Sequence, residues 1–574
     1  MPILMTQIFS ELLLESRCKD EVIQEFCPLA ESLDWLLGQL FYRKRGSLAF
    51  RSSRSAVPYE VTSDGNLSAS AAELLFSDLE SQGDVPGQII VLELGAGSGL
   101  FAKCFLDIFR DINRLRRKDY YDRLLYVVTD ASASMLSDLD CCKMLHQHSE
   151  HVEIRQGDIL SDGFGKSRMP LKGSVRAIFA NYFLDSLPAT VLRVHNEQLS
   201  ELRVRTRLQR SRFRDAATLS IDQVSEISKS ADPSRLECLL DRTSDFVLEY
   251  DYFKVSPSDI PFGEFVLRSC PKLANESGSL GQPSYIVHNY GAFECIRRSR
   301  ELLCPGGYIV LSDYGQVDGM TTVPNHLHQR FAGASAIGLN FPLLSEFAVV
   351  KCESQCLQPQ VTGNDIHTRL ICYDASDHVK SAFTSCYGAS SDKLREPLAA
   401  ARQLAEDGSW QEALNCYFEA MERQPYNWSL IAEAARFCMY SLKDPILGAK
   451  LAQLGIDRNP LTCADLWNTL GDAAACLKQE DHAERAFLRA IEIDPDNVRA
   501  RFNLASLLES RQDFFSALRM VTECLCADRC GEYEQRLICK QMDILRELKR
   551  WHHEDCQRST DRFHRSLYSS EQVT

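Results

Sequence analysis

The chain is 574 residues long, 45% hydrophobic and 25% charged, with a formal net charge of −15 at pH 7. A chain of that length exceeds a single hydrophobic core and divides into roughly two to four domains of ordinary globular composition. The acidic balance argues against a general nucleic-acid or anionic-membrane surface, either of which needs a basic face.

The arginine-rich run Arg203–Arg214 reads as a solvated strand and loop face. The 22 cysteines are scattered and show no CxxC pair at zinc spacing. They are expected to be reduced, mostly buried small apolar residues, with no metal. The first twenty-odd residues lack the basic stretch and apolar core of a secretory signal. No apolar run approaches the ~20 residues of a membrane span. Together these features predict a cytoplasmic location.

Residues 1–87 are expected to be mostly helical, because apolar residues recur three and four apart around Ile8, Leu12, Val22 and Phe26. Asp64-Gly65 offers a turn, and the serines after it a helix cap. From Gln88 the pattern switches to buried strands alternating with helix-length segments. The strands are IIVLEL ending at Leu94, LLYVVTD ending at Asp130, VEIRQGD ending at Asp158, VRAIFAN ending at Asn181 and GYIVLSDY ending at Tyr314. Runs of this kind predict an α/β domain over residues 88–390, with a mainly parallel, Rossmann-like sheet covered on both faces. Over about residues 195–284 that rhythm stops, charge rises, and LSELRVRTRL and FVLEYDYF suggest hairpin strands. An insertion on the sheet is expected there, with a substrate lid as one use.

Residues 391–535 carry a repeat. Trp467, Leu470, Gly471, Ala474, Ala483, Phe487, Ala490 and Pro495 fall on the tetratricopeptide (TPR) pattern in a window opening at Ala464. The next window opens at Val498, one period later, with Leu504, Ala505, Leu508 and Ala517 in the equivalent places. Leu404, Ala413, Tyr417, Ala420 and Pro425 give an upstream copy, and Trp428–Cys463 a degenerate one. An all-α solenoid follows, whose concave groove suits a peptide or partner helix. Support of the first domain, or self-association, is the plainer use. Residues 536–574 are expected to form a C-terminal helix and tail.

The sharpest chemical feature is VLELGAGSGLFAKCF, with Glu93, Gly95, Ala96, Gly97 and Gly99. Glycines after a strand permit a tight turn and let a ligand touch backbone where a Cβ would block it. Dinucleotide enzymes use a similar device, but there the third glycine lies three residues after the second. Here Gly97 and Gly99 are two apart, and an acid precedes the first glycine, a placement typical of S-adenosylmethionine sites. Asp130 ends the next strand and can accept from both ribose hydroxyls of that cofactor. Asp158 follows another strand and can accept from the adenine amino group. A helix cap or solvated loop is the ordinary fate of any one such acid. Three in order after a glycine turn point to cofactor binding.

The segments AIFANYFLDSLPATVLRV and GGYIVLSDYG resemble the signatures of the MidA-like methyltransferases, the family that includes the mitochondrial complex I assembly methyltransferase. That resemblance spans roughly residues 42–350. In the family a strand ends in Asn or His, then Glu, then Phe-Leu-Asp-Ala-Leu-Pro. Here the run is Asn181, Tyr182, Phe183, Leu184, Asp185, Ser186, Leu187, Pro188, and Asp313-Tyr314-Gly315 matches the later Asp-Tyr-Gly. The segment HQRFAGASAIGLNFPLL stands where the family has an Asp-Ile-Thr element, which is absent. The resemblance implies S-adenosyl-L-methionine-dependent methylation of a protein side chain, arginine-type, with Asn181 facing the cofactor. Asp185 is the first candidate for the acceptor site and Asp313 the second. Tyr182 replaces the family's Glu with a hydroxyl and a ring face, which can hold a cation without neutralising it. The repeats are then expected to recruit the protein substrate or partner. The alternatives are a small-molecule methyltransferase whose repeats serve assembly, and an inactive cofactor-binding scaffold.

Overall fold

The computed structural model describes residues 21–51, 65–83, 87–161, 171–195, 198–209, 221–229, 233–269, 283–319, 328–331, 333–359, 366–388, 392–528, 531 and 533–570. The sequence expectations for Ile8, Leu12 and Asp64 lie outside these residues. The chain forms two compact units, one of residues 1–50 with 55–395, the other of 51–54 with 396–574.

The first unit is built on an eight-stranded sheet in the order β14-β15-β10-β5-β2-β3-β4, with the short β13 (Leu339–Asn340) pairing the end of β10. Its parallel strands are β2 (Ile89–Leu94), β3 (Leu124–Asp130), β4 (Val152–Gln156), β5 (Val175–Asn181) and β10 (Leu303–Gln316). Strands β15 (Ile366–Cys372) and β14 (Gln355–Leu357) extend it antiparallel. Every residue of β2 is buried, as a strand covered on both faces requires. On one face, Leu92, Leu94, Ile178 and Leu311 share a core with Phe293 and Phe347, whose rings stack at 4.3 Å. On the other, Tyr126 and Phe179 meet Phe105 at ring separations of 5.0 and 5.6 Å. The strand expected to end at Asp158 stops at Gln156, and Asp158 stands in the following turn.

Between β5 and β10 the chain builds a second, antiparallel sheet. Strands β6 (Thr190–His195), β7 (Gln198–Leu208), β8 (Phe246–Lys254) and β9 (Ser284–His288) belong to it. One edge of β7 carries β8; the other carries β6 near its start and β1 (Glu21–Pro28) along the rest. Residues 1–87 were expected to be mostly helical, and the helical pattern read around Val22 and Phe26 is corrected here: both lie on β1. Val22 and Phe26 sit four apart, yet they lie on a strand because β7 offers an unpaired edge there. Ile23 then packs against Leu33 and Leu208. Tertiary pairing outweighs the local pattern.

Helix α1 (Leu33–Arg45) follows, capped by Ser32, whose side chain accepts from the Trp35 N–H. It lies on the hairpin of β11 (His328–Phe331) and β12 (Ala334–Ile337), where the Ser335 hydroxyl donates to Asp34 at 2.7 Å. Helices α2 (Leu48–Arg51), α3 (Asn66–Gln82), α4 (Leu100–Arg116) and α5 (Ala133–Cys141) complete the approach to the site.

The second unit is helical. Helices start at Ala464 and Val498, and again at Glu480 and Phe514, so each pair is offset by the same repeat length. A Cβ on Gly471 would fall 2.5 Å from the Phe487 ring, so the paired helices touch only because this position is bare. A long helix, Glu534–Ser570, follows the last repeat. Among the described residues no helix is long and apolar enough to cross a membrane.

Candidate active site

The turn after β2 has Gly95 at φ +66°, Gly97 at +54° and Gly99 at +75°, a left-handed backbone that residues with a Cβ rarely adopt. The Ala96 N–H donates to the Thr129 carbonyl at 3.0 Å, which ties the turn to the end of β3. Gly97 N–H donates to Asp130 Oδ2 at 3.1 Å, and Ser132 N–H to Asp130 Oδ1 at 2.8 Å. Burial pushes the Asp130 carboxyl above its usual range, against the opposing pull of these backbone donors. A carboxylate has about four acceptor positions, so further donors can be taken.

Glu93 is 3% exposed and sits beneath the turn, accepting from the Tyr126 hydroxyl at 3.0 Å. Burial pushes it up to about 8, with the Tyr126 bond opposing and the Asp130 charge adding. Glu93 and Asp130 therefore lie within each other's electrostatic reach. The Asp158 carboxylate accepts from the Leu160 N–H at 2.9 Å, and its loop is tied to β3 by Gly157 N–H donating to the Asp130 carbonyl at 3.1 Å. Gly99 has a different duty: a Cβ there would meet Leu139 of α5 at 2.4 Å, so its bareness serves packing.

The second half of the crevice is made by the ends of β5 and β10. The side-chain N–H₂ of Asn181 is buried without a hydrogen-bond partner among the described residues. Tyr182 stands at φ +54°, a strained conformation for a bulky residue, and its N–H donates to the Ser312 carbonyl at 2.8 Å. The chain then makes a single 3₁₀ turn, Leu184–Ser186, that carries Asp185. Asp313, fully buried, holds this turn: Oδ2 accepts from the Leu184 and Asp185 N–H groups at 2.9 and 3.2 Å, while Oδ1 accepts from Tyr314 N–H at 2.9 Å. Burial pushes Asp185 up to about 7, with the Ser186 N–H and Tyr314 hydroxyl opposing. Asp313 is pushed in the same direction by burial and by the Asp185 charge.

The two halves touch, since a Cβ on Gly95 would fall 2.5 Å from the Phe183 ring. The sequence-derived residues thus form two adjacent groups: Glu93, Gly95, Ala96, Gly97 and Asp130, with Asp158 on the neighbouring loop, and Asn181, Tyr182, Asp185 and Asp313. Sequence reasoning missed Tyr314 as a site residue, although it stands inside the Asp-Tyr-Gly segment. Its ring lies 5.9 Å from that of Tyr182. Tyr42 and Phe50 were missed as well, and no motif marks them.

Residues 72–331 match the family described as "Putative S-adenosyl-L-methionine-dependent methyltransferase", and residues 464–497 and 486–535 match tetratricopeptide-repeat families. A comparison with curated proteins gave no match. Among solved structures, the chain is similar to a Burkholderia thailandensis COG1565 superfamily member bound to S-adenosyl-homocysteine, at 13% identity over 62% of this chain and 90% of that one (TM-score 0.38). It is also similar to MamA of Desulfovibrio magneticus RS-1, at 14% identity over 32% of this chain and 100% of that one (TM-score 0.24). A third similarity is to the first TPR domain of human RPAP3, at 21% identity over 21% of this chain and 94% of that one (TM-score 0.20).

Proposed function

We propose that the chain, whose residues 72–331 match the S-adenosyl-L-methionine-dependent methyltransferase family described above, methylates an arginine-type nitrogen of a protein side chain. Its tetratricopeptide repeats recruit the protein that carries this nitrogen. The cofactor of the family is S-adenosyl-L-methionine, which supplies, when bound, a methyl group already made electrophilic by its sulfonium.

The residues present fit that cofactor. The bare, left-handed backbone of Gly95–Gly97 supports close approach of a nucleoside, and Asp130 keeps acceptor capacity for ribose hydroxyls. Glu93 supports the same turn from below, and Asp158 and Asn181 are the candidates for the adenine and the outer rim.

The observation that carries the acceptor reading is the buried pair Asp185–Asp313. A nitrogen that gains a methyl must lose a proton, and burial pushes the Asp185 carboxyl up toward neutrality, where a proton acceptor works best. Guanidinium does not deprotonate unaided, so a carboxylate must orient it and hold its charge while the proton departs. Tyr182, in place of a second gripping acid, contributes a hydroxyl and a ring face. Burial of both acids supports exclusion of water from the same corner.

The test is incubation of a cell lysate with methyl-labelled cofactor and the full chain. Label is expected in acid-precipitable protein and, after hydrolysis, in methylated arginine. Label found only in small molecules would refute the proposal.

A further inference from the structure

The long helix Glu534–Ser570, which follows the last repeat, uses its sides unequally. Leu537 and Ile544 are fully buried in one cluster with Phe514, Ala517, Val521 and Cys524 of helix Phe514–Ala527, and Leu548 packs against the same cluster. On a second side Lys540 pairs with Glu509 of helix Val498–Ser510. A third side is bare: Ile538, Met542 and Leu545 are 42%, 49% and 46% exposed. Spacings of four and three set them on one stripe. In a stacked array each face is buried by its neighbour, and an end helix ordinarily turns a polar face outward. This helix turns an apolar one outward.

The charges along the stripe indicate what it fits. Glu534 stands about one turn before Ile538, and Lys549 about one turn after Leu545, both in line with it. Both are exposed, and neither forms an ion pair among the described residues. The charges beside the stripe are satisfied within the helix, Arg546 by Asp543 and Arg550 by Glu547, each at 2.8 Å. The stripe therefore runs from an unpaired acid, through three apolar side chains, to an unpaired base. That order is self-complementary. Glu534 and Lys549 are centred on the peptide between Gln541 and Met542, and so are Ile538 and Leu545. Turned end for end about that point, a second copy sets its Lys549 against Glu534, its Leu545 against Ile538 and its Met542 against Met542. A second copy laid in the same direction sets like charges together.

We infer that this stripe is a self-association face, on which two copies of the chain pair antiparallel along Glu534–Lys549 about a two-fold axis at Met542. Such a pairing is isologous and closes at two copies, the commonest form of soluble assembly. With three apolar side chains from each copy it is of the reversible kind, with a dissociation constant on the order of 10 µM. It stands apart from the methyl-transfer reading and does not depend on it.

The experiment is sedimentation equilibrium of the full chain at low salt, up to ~100 µM, where a monomer–dimer equilibrium of that strength is resolved. Met542→Glu sets two like charges at the axis and should weaken the dimer at least about 100-fold. Glu534→Lys and Lys549→Glu should each weaken it about ten-fold, because each places like charges opposite at both ends of the pair. The two exchanges combined should restore the wild-type affinity. They lie at exposed positions and decide the matter whether or not Met542→Glu folds. A monomeric wild type leaves the stripe to a helix of another protein and overturns the inference. A dimer that survives Met542→Glu pairs through a different face, which also overturns it. So does a single charge exchange that strengthens the dimer or leaves it unchanged, since the copies are then not antiparallel.

Discussion

Asp313 holds the backbone on which Asp185 stands, its Oδ2 accepting the Asp185 N–H at 3.2 Å and the Leu184 N–H at 2.9 Å. The two acids therefore differ in duty: Asp313 positions the turn, and in the proposed reaction Asp185 faces the acceptor. Asp185→Asn keeps the turn and removes the proton acceptor. Turnover of labelled methyl should fall roughly 10²–10⁴-fold, with S-adenosyl-homocysteine affinity unchanged. Asp313→Asn replaces an oxygen that two or more N–H groups need, and should cost about 1–3 kcal/mol in denaturant unfolding. Equal turnover in Asp185→Asn would remove it from the reaction.

The pH profile follows from the same pair. A base works ionised, and burial raises Asp185 from its ordinary value to about 7. The rate should climb with pH and reach half its plateau near that value, well above where an exposed aspartate would place the limb. A rate that is flat from roughly pH 5 to 9 contradicts the assignment.

Glu93 predicts a stability effect of opposite sense to that of most carboxylates. Its folded value is about 8 against 4.5 in the unfolded chain, so between the two the folded state keeps a proton that the unfolded state has lost. Its contribution is full below 4.5 and is lost as pH rises through 8. Glu93→Gln has no proton to lose and should gain on the wild type through that window, by on the order of 5 kcal/mol at its alkaline end. Thermal unfolding at the two ends would show it, and a constant gap between the two chains would reject it.

Gly97 tests the cofactor turn. At φ +54°, with the Phe50 ring 3.2 Å from where a Cβ would stand, Gly97→Val is strained and crowded. Binding of S-adenosyl-homocysteine should drop at least about 100-fold, from roughly 3 kcal/mol of strain and steric exclusion. The circular dichroism spectrum should remain that of the wild type. Retained affinity would place the cofactor elsewhere.

In the repeats, Gly471→Val puts its Cβ 2.5 Å from the Phe487 ring in a packed seam. Overpacking of that kind costs about 1–3 kcal/mol, and helix loss should appear at lower denaturant. An unaltered transition would mean the helices can separate there without cost.

Much of the architecture was readable before any coordinates. IIVLEL, LLYVVTD and VRAIFAN announce themselves because a strand covered on both faces must be apolar throughout. The Gly-Ala-Gly turn is legible because bare backbone at a strand end has few uses. The repeat is legible because a periodic solenoid must write the same seam again in each copy. The proposed cofactor half was likewise in view, since Glu93, Asp130 and Asp158 each stand at or just past a strand end in order.

What the sequence alone determined was therefore whatever is encoded within one element or between neighbours: strand identity, repeat length, the glycine turn and the acids beside it. Tertiary structure decided what depends on a partner far along the chain. Glu21–Pro28 became a strand because β7 had an edge to fill, and Asp313 became the anchor of the turn that carries Asp185. The end of α1 lies against the loop after β3 only because the Tyr42 carbonyl accepts from Ser132 and Ser47, just beyond the helix, donates to Asp138. Long-range hydrogen bonds and burial set these outcomes, and neither leaves a local pattern in the order of residues.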